Sequence, residues 1–219
     1  MSACFVTGTD TGVGKTLAAC ALLHALQRRH ARVVGMKPVA AGLVDTPDGP
    51  DSEDAIALRA ASTLRVPRGL DNPVRLPAPL SPHLAAQRAG QAIDIAHLVA
   101  CQRELAHRAD AVVVEGAGGF LVPLSAEQTG ADLAQALDLP VVLVVGLRLG
   151  CLNHALLTAE AIRSRGLRLA GWVANRIDPA MAAADDNIAF LRQRLAAPLL
   201  ADIAHSAAPD PRRIPLLLP

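Results

Sequence analysis

Short apolar runs alternate along the chain with longer stretches in which apolar residues recur at helical spacing. The runs are rich in β-branched residues, which is typical of strands buried on both faces of a sheet. They predict strands at 4–7, 32–37, 111–116, 140–146 and 169–175. The helical patterns cover 15–29, 52–61, 91–108, 129–137, 152–165 and 180–195. This alternation predicts one α/β domain over residues 1–219, with a mostly parallel sheet flanked by helices on both faces.

The first predicted strand and the first predicted helix are joined by a glycine-rich loop, in the sequence FVTGTDTGVGKT. Backbone amides in such a loop, and at the start of the helix that follows, bind phosphate oxygens. Lys15 then reaches the outer phosphates, and the Thr16 hydroxyl is a ligand for Mg²⁺. Five residues separate Gly8 from Gly14, whereas the standard motif has four. The alternative is an ordinary glycine-rich turn, but the flanking strand and helix favour a phosphate loop and a P-loop NTPase-like fold.

Charged residues occur where other predicted strands end. Glu115 closes the run AVVVEG and precedes further glycines, a position from which carboxylates of nucleotide hydrolases hold Mg²⁺ or its water; the alternative is a capping or salt-bridged glutamate. Asp54, in DSEDAIALRAA, is equally explained by capping of a helix N-terminus and by Mg²⁺ binding. Lys37 ends the second strand, where it either stabilises a transferring phosphoryl group or lies with its head group at the rim of the sheet.

Two stretches dense in Pro, Gly and Asp, 42–51 and 66–82, interrupt the alternation. Both are interpreted as surface loops. The first follows the strand 32–37 directly, and ligands of open α/β sheets bind beyond the carboxyl ends of the strands. We therefore predict that the 42–51 loop contributes to the binding site.

Composition narrows the class of protein. Hydrophobic residues make up 52% of the chain but aromatic residues only 2%, and the net charge is +1. The chain therefore offers few aromatic side chains for stacking on bases and little excess positive charge, which argues against a nucleic-acid partner. The four cysteines lack metal-ligand spacing and are expected to be reduced and buried. No signal peptide or membrane-spanning run is recognised, which predicts a cytoplasmic protein that does not associate with membranes.

Six motifs occur together and in order: FVTGTDTGVGKT, KPVAAG, SPHLAA, VVVEGAGGFLVPL, LGCLNHALLTAEAI and GWVANRI. With them the chain resembles the dethiobiotin synthetase family from about residue 4 to residue 206, and the five-residue gap in the phosphate loop is itself a feature of that family. The resemblance implies an Mg-ATP-dependent ligase. It would convert 7,8-diaminononanoate and CO₂ to dethiobiotin, ADP and phosphate through a carbamate and a carbamic-phosphoric anhydride.

The resemblance also implies roles for individual residues. The catalytic residues would be Lys37 and Lys15, and the Mg²⁺ ligands would be Thr16, Asp54 and Glu115. Nucleotide would be bound by Gly12, Val13, Gly14, Lys15, Thr16, Leu17, Asp54, Glu115, Gly116, Ala117, Gly118, Asn175, Arg176, Ala204, His205, Ser206 and Pro211. Substrate would be bound by Thr11, Lys37, Ala41, Gly150, Cys151, Leu152 and Asn153. The last four would hold the substrate carboxylate across the interface of a homodimer.

Three positions depart from the family. Ala41 stands where some members have Ser, so one substrate hydrogen bond is absent or supplied by the backbone. Gly12 stands where some have Glu, which argues against an essential carboxylate there. Ala204 stands where Pro is familiar, in the loop implied to contact the base. One rival interpretation, an amide-forming synthetase acting on a cobalamin precursor, is disfavoured because 219 residues leave no room for its glutamine-hydrolysing domain. The other is a dimeric switch ATPase of the partition and cell-positioning class. Its relatives carry an early lysine in the phosphate loop, which residues 8–11 lack.

Overall fold

The computed structural model describes residues 2–218, which contain eight strands and eight α-helices. The strands are β1 (Ala3–Gly8), β2 (Val33–Met36), β3 (Val39–Ala41), β4 (Val74–Leu76), β5 (Ala111–Gly119), β6 (Val141–Gly146), β7 (Leu169–Asn175) and β8 (Leu199–Ile203). The helices are α1 (Lys15–Leu26), α2 (Glu53–Ala60), α3 (Arg68–Asp71), α4 (Pro82–Ala89), α5 (Ile95–Arg108), α6 (Gly130–Leu137), α7 (Cys151–Ser164) and α8 (Ala184–Arg194). A 3₁₀ turn, Pro211–Arg213, precedes the C-terminal segment.

The main sheet has six strands in the order β2-β5-β1-β6-β7-β8. Every neighbouring pair is parallel, so the predicted α/β fold with a mostly parallel sheet is confirmed. The strands β2 and β5, which come earlier in the chain, lie on one side of β1, and the later strands β6, β7 and β8 lie on the other side. This change of direction opens a crevice at the carboxyl end of β1, which is where ligands bind in open α/β sheets.

Successive strand residues point to opposite faces, and both faces are covered by apolar side chains. Phe5 and Val114 belong to one buried cluster, with α5 and α6, whereas Val6 and Val113 belong to a second cluster, with α1. Trp172 is fully buried in a third cluster, with α7 and α8. The apolar runs therefore form strands buried on both faces, as predicted.

The four cysteines are buried and unpaired, as expected. Burial raises the pKa of Cys4 to about 12 and, with the nearby acids Glu115 and Asp54, raises that of Cys20 to about 12. The thiols of Cys4 and Cys20 are therefore protonated at neutral pH, and all four buried cysteines pack as small apolar side chains.

The interpretation of 66–82 as a surface loop is wrong. This stretch contains α3, β4 and the first residue of α4, and β4 pairs in parallel with β3 to form a separate two-stranded sheet. Val74 and Leu76 are buried, but a three-residue strand is too short to show a period in the sequence. The edge strand β8 was likewise missed. Helix α5 begins later than predicted, at Ile95, because the Asp94 side chain caps it by accepting from the amide of Ala96.

Candidate active site

The glycine-rich loop between β1 and α1 is held in shape by two close backbone approaches. Gly14 has a φ of +90°, and a Cβ built on it would lie 2.1 Å from Asn175 Nδ2. That nitrogen donates a hydrogen bond of 2.9 Å to the carbonyl of Val13. A Cβ on Gly8 would lie 2.6 Å from Val13 Cγ2. Glycine is thus required where β1 ends and where α1 begins, and the end of β7 fixes the loop through Asn175.

Lys15 is the first residue of α1, and its side chain folds back over this loop. Its Nζ donates to the carbonyl of Asp10 at 2.9 Å, and the residue is 6% exposed. Burial, together with the nearby ammonium of Lys37, lowers the pKa of Lys15 to about 8. A phosphate placed against the loop would supply the negative charge that this buried ammonium lacks.

Thr16, Asp54 and Glu115 come from α1, α2 and β5, and their oxygen atoms meet at one point. Thr16 Oγ1 lies 2.9 Å from Asp54 Oδ1 and 2.9 Å from Glu115 Oε1, and donates its one proton to either of them. Glu115 is fully buried, and its Oε2 has no hydrogen-bond partner among residues 2–218. An unpartnered buried carboxylate oxygen beside two further oxygen donors fits a hard cation such as Mg²⁺.

Lys37 lies beside this oxygen cluster, just beyond the end of β2. Its Nζ is 2.7 Å from Asp54 Oδ2 and 2.7 Å from Glu115 Oε1, and it donates to the carbonyl of Gly116 at 3.3 Å. The side chain is 4% exposed, so it is inside the protein and not at the solvent rim. Lys15 and Lys37 are the only lysines in the sequence, a signal that the pattern analysis missed.

The three charged groups influence one another's pKa values. Burial opposes the charge of Lys37, but contact with Glu115 and Asp54 outweighs it and raises the pKa of Lys37. Burial also opposes the charge of Asp54, yet Lys37 and Thr16 hold its pKa below the usual range. Burial raises the pKa of Glu115. The site therefore keeps a permanent ammonium next to one firmly ionised carboxylate and one carboxylate whose charge is costly.

A cleft of about 670 Å³ opens over these groups. Its lining includes eleven residues that the sequence predicted: Thr11, Gly12, Gly14, Lys15, Thr16, Lys37, Ala41, Asp54, Glu115, Ala117 and Gly118. Val39, which was not predicted, also lines it. The remaining wall is formed by Val122 and by the segment 79–82. No residue of 42–51 lines the cleft, so the loop predicted to reach the site is the wrong one. The neighbouring loop with Pro79 and Ser81 was missed, because neither its prolines nor its serine carries recognisable chemistry.

A second, smaller depression of about 170 Å³ lies on the other side of the phosphate loop. It is lined by Leu17, Asn175, Arg176, Ile177, Ala204, His205, Ser206 and Pro209. The guanidinium of Arg176 is paired with Asp202 at 2.7 Å and with Asp185 at 2.5 Å. Pro211 does not line this depression but begins the 3₁₀ turn that packs against α1.

The remaining predicted residues occupy two other places. Val13 and Gly116 lie beneath the cleft, Val13 with its carbonyl bonded to Asn175 and Gly116 with its carbonyl bonded to Lys37. Gly150, Cys151, Leu152 and Asn153 form the start of α7 and do not line the cleft of their own chain. The adjoining Arg148 connects them to the phosphate loop through an ion pair of 2.5 Å with Asp10.

Comparison with known proteins defines the family of the chain. Residues 2–211 match the model of the AAA_26 family, described as "AAA domain", and the protein belongs to that family. Its fold and glycine-rich loop make it a P-loop nucleotide-binding protein. Within residues 2–218, no helix has both the length and the apolar character needed to cross a bilayer.

Solved structures share the fold at low identity. The chain is similar to a ParA family ATPase from Chlorobium tepidum TLS, with a TM-score of 0.58, 17% identity, and coverage of 94% of this chain and 86% of that one. It is similar to the MinD cell division protein of Aquifex aeolicus, with a TM-score of 0.56, 16% identity, and coverage of 94% and 84%. It is also similar to the signal recognition particle receptor FtsY of Elizabethkingia anophelis, with a TM-score of 0.55, 14% identity, and coverage of 99% of this chain but only 62% of that one.

Proposed function

We propose that the protein is a dethiobiotin synthetase, an ATP-dependent ligase that carboxylates 7,8-diaminononanoate and closes its ureido ring. The observation that carries this proposal is the place of Lys37. Its buried ammonium lies 2.7 Å from both carboxylates of the oxygen cluster, and the cleft continues past it to Ala41 and the 79–82 wall. A lysine between a phosphate site and a further pocket suits transfer of a phosphoryl group to a second, anionic substrate.

Three steps would make up the reaction. One amine of the diamine adds to CO₂ and loses a proton, giving a carbamate. A carbamate oxygen attacks the γ-phosphorus of ATP, the bond to the bridging oxygen breaks, and ADP leaves. The second amine attacks the carbamoyl carbon. The bond between that carbon and the phosphate oxygen breaks, phosphate leaves with the electron pair, and the nitrogen gives up a proton as the ring closes. Atoms and charges balance without any oxidant or reductant.

The residues of the cleft have distinct tasks in this scheme. Lys15 and the amides of the phosphate loop bind the phosphates of ATP. Thr16, Asp54 and Glu115 would hold Mg²⁺, which neutralises phosphate charge when bound. Lys37 faces the carbamate and the transferring phosphoryl group, and offsets the negative charge that accumulates where these two anions meet. Since the site is buried, this charge stabilisation is stronger than it would be in water.

The diamine would extend from Lys37 along the wall that includes Thr11 and Ala41. Ala41 has no hydroxyl, so only its backbone is available for a hydrogen bond. As the family resemblance implies, the carboxylate of the substrate would be bound by the helix start Gly150–Asn153 of a second copy. These residues do not line the cleft of their own chain, which is compatible with that arrangement. The proposal therefore includes a homodimer with shared sites.

The base of the nucleotide would occupy the depression beside Asn175, Arg176, Ala204, His205 and Ser206. This places Leu17 against the base and Gly12, Val13, Gly14, Ala117 and Gly118 near the phosphates. Pro211 would act indirectly, since its turn packs on α1. FtsY, a protein of similar fold with 14% identity and a TM-score of 0.55, is described in complex with GDP, which supports a nucleotide as a ligand of this fold.

The second candidate is a dimeric switch ATPase of the partition class, favoured by the similarity in fold to the ParA family ATPase and to MinD. The phosphate loop has no lysine before Lys15. In addition, most apolar side chains after the 3₁₀ turn are not available to a lipid surface: Leu216 is 7% exposed, and Ile214 and Leu218 pack against the α1 cluster. Of the three leucines in this segment, Leu217 faces outward, with 68% of its surface exposed, and one exposed leucine does not make an amphipathic anchor. Both observations favour the synthetase.

The deciding experiment measures ADP release from Mg-ATP and bicarbonate with and without 7,8-diaminononanoate, while mass spectrometry follows dethiobiotin. We expect ADP that depends on both the diamine and bicarbonate, in equal amount to dethiobiotin. ADP formed at the same rate without the diamine, and without a new mass, would instead support the switch. Omitting bicarbonate is the internal control, because a switch has no use for it.

A further inference from the structure

A buried cluster of charges behind the cleft has no role in the scheme above. Arg59, on α2, has its guanidinium between two buried carboxylates: Nη1 is 2.5 Å from Asp51 Oδ2, and Nε is 2.7 Å from Asp71 Oδ2. Asp51 and Asp71 are 1% and 2% exposed. Burying three charges is costly unless they pair well, so this cluster, which we call the Arg59 clamp, is a specific feature of the site's surroundings.

Asp71 of the clamp and its neighbour Asn72 are hydrogen-bonded to the backbone of Lys37. The amide of Lys37 donates to the carbonyl of Asp71 at 2.7 Å. The carbonyl of Lys37 accepts from Asn72 Nδ2 at 2.6 Å, and Asn72 is fully buried. Lys37 therefore takes its position from residues 71–72, not from a neighbouring strand of the main sheet, whose pairing with β2 ends at Met36.

The clamp also fixes the helix that carries Asp54. Arg59 and Asp54 both lie on α2, and Asp51 immediately precedes its capping residue, Ser52. Arg59 thus joins the segment that holds Lys37 to the helix that holds Asp54. The contact it would maintain is the 2.7 Å pair between Lys37 Nζ and Asp54 Oδ2.

We propose that Arg59 is a positioning residue that sets the distance of Lys37 from the oxygen cluster through Asp71 and Asn72. It touches neither the cleft nor a substrate, since it is absent from the cleft lining. Its consequence for catalysis rests on the proposed function, whereas its effect on the place of Lys37 does not. Misplacement of a catalytic group by about 1 Å costs up to about 100-fold in rate, so the expected effect is on kcat and not on nucleotide affinity.

The test uses Arg59→Lys, which keeps the charge but loses the planar fork that reaches both aspartates. Arg32→Lys is the control for the substitution itself, because Arg32 also contacts an aspartate, Asp110, through two nitrogens, at 2.7 and 3.2 Å. That contact is exposed and lies at the amino end of β2, away from the cleft. The first readout is the labelling rate of Lys37 by an amine-reactive reagent, measured by peptide mass spectrometry. The sequence has no other native lysine besides Lys15, and the introduced lysine lies on a different part of the chain.

We expect Lys37 to be labelled at least about 10-fold faster in Arg59→Lys than in the native protein or the control. Diamine-dependent kcat, per nucleotide-binding site, should fall about 10- to 100-fold, with KM for ATP within about twofold of native. Equal labelling of Lys37 in a folded Arg59→Lys variant would overturn the proposal. So would a lower kcat without faster labelling, because the effect would then not pass through Lys37.

Failure of the proposal and failure of the proposed function are distinguishable, because the labelling readout needs no diamine. Should Arg59→Lys fail to fold, Asp71→Asn replaces it: this variant keeps the carbonyl that accepts from Lys37 but removes one charge of the clamp. We expect Asp71→Asn to give faster labelling of Lys37 and a lower kcat, both by a smaller factor than Arg59→Lys. Native labelling and native kcat in a folded Asp71→Asn variant would then contradict the proposal.

Discussion

Lys37 Nζ and Glu115 Oε1 lie 2.7 Å apart, at the point where the pairing of β2 with β5 ends. Both side chains are almost completely buried, with 4% and 1% of their surface exposed. Taking two charges out of water costs several kcal/mol per ion before their attraction is counted. A pair of this kind is weak evidence for stability. We interpret it instead as two charges positioned for the phosphates and the acceptor of the proposed reaction.

Replacement of Lys37 by Gln should abolish turnover while the folded protein still binds nucleotide. The amide keeps most of the volume but cannot offset the charge of carbamate and phosphoryl group, so we expect kcat to fall by at least about 100-fold. Glu115, whose pKa is already raised by burial, takes up a proton when its partner is lost, which limits the damage to the fold. The measurement is dethiobiotin formation, beside nucleotide affinity by calorimetry.

The control for this variant is Arg88→Gln, which removes a positive charge from the exposed end of α4. Its kcat should equal the native value. Normal product formation by Lys37→Gln would remove Lys37 from the mechanism, whatever the behaviour of the control.

Two neighbouring acids on α2 allow the proposed Mg²⁺ site to be tested in isolation. Asp54 joins the oxygen cluster, 2.9 Å from Thr16 Oγ1, whereas Glu53 is exposed one residue before it. Asp54→Asn should raise the Mg²⁺ concentration needed for half-maximal activity by about 10-fold or more, the size expected when a group that holds or orients a metal is altered. Glu53→Gln, a loss of the same charge on the same turn, should leave the Mg²⁺ titration unchanged. An identical shift in both variants would show a general electrostatic effect and no ligand role for Asp54.

The main features of this site could be predicted because parallel strands end at one edge of a sheet. Lys37, Glu115 and the glycine-rich loop each follow an apolar run, so their common location required only the fold. The identity of the wall at Pro79 could not be predicted, because β3 and β4 are three-residue strands without a readable period. The residues themselves also left the role of Asp54 open, because helix capping and Mg²⁺ binding both favour an acidic residue in the first turn of a helix.

Contacts between distant parts of the chain were also beyond the sequence. Asn175 was assigned to the base by resemblance, yet its amide nitrogen is bonded to the carbonyl of Val13, which no local pattern signals. Arg59 and Asp71 resemble any surface pair when read along the chain. Only the folded structure shows that Asp71, the last residue of α3, is buried against the guanidinium of Arg59 and bonded to the backbone of Lys37.

Nucleotide affinity should weaken above pH 8 because of Lys15. Burial, with help from Lys37, lowers the pKa of Lys15 to about 8, so the free protein loses this positive charge as the pH rises, whereas bound phosphate favours the protonated form. Linkage then predicts that Kd for Mg-ADP rises about tenfold per pH unit above 8 until the pKa of the complex is reached, with proton uptake on binding. Below pH 8 the dependence on Lys15 disappears. Calorimetry in buffers of different ionisation enthalpy measures both quantities.

The comparison for this pH profile is Lys15→Arg, whose guanidinium stays charged over the same range. Whatever the absolute affinity of this variant, its Kd for Mg-ADP should not change between pH 7 and about 9.5. Cys4 and Cys20 do not interfere, because their pKa values are about 12. A native profile that is as flat as that of Lys15→Arg would contradict the lowered pKa.

Gly14→Ala should impair nucleotide binding for a steric reason that can be separated from backbone strain. Gly14 and Gly49 share a φ of +90°, but a Cβ on Gly14 would lie 2.1 Å from Asn175 Nδ2, whereas a Cβ on Gly49 would meet nothing within 4 Å. Each substitution carries a left-handed backbone cost of about 1–2 kcal/mol. Only Gly14→Ala also has to displace the amide that holds the carbonyl of Val13, so its Kd for Mg-ADP should rise at least about 10-fold, and that of Gly49→Ala should not change. Native affinity in Gly14→Ala would mean that the loop closes on phosphate without the contact from Asn175.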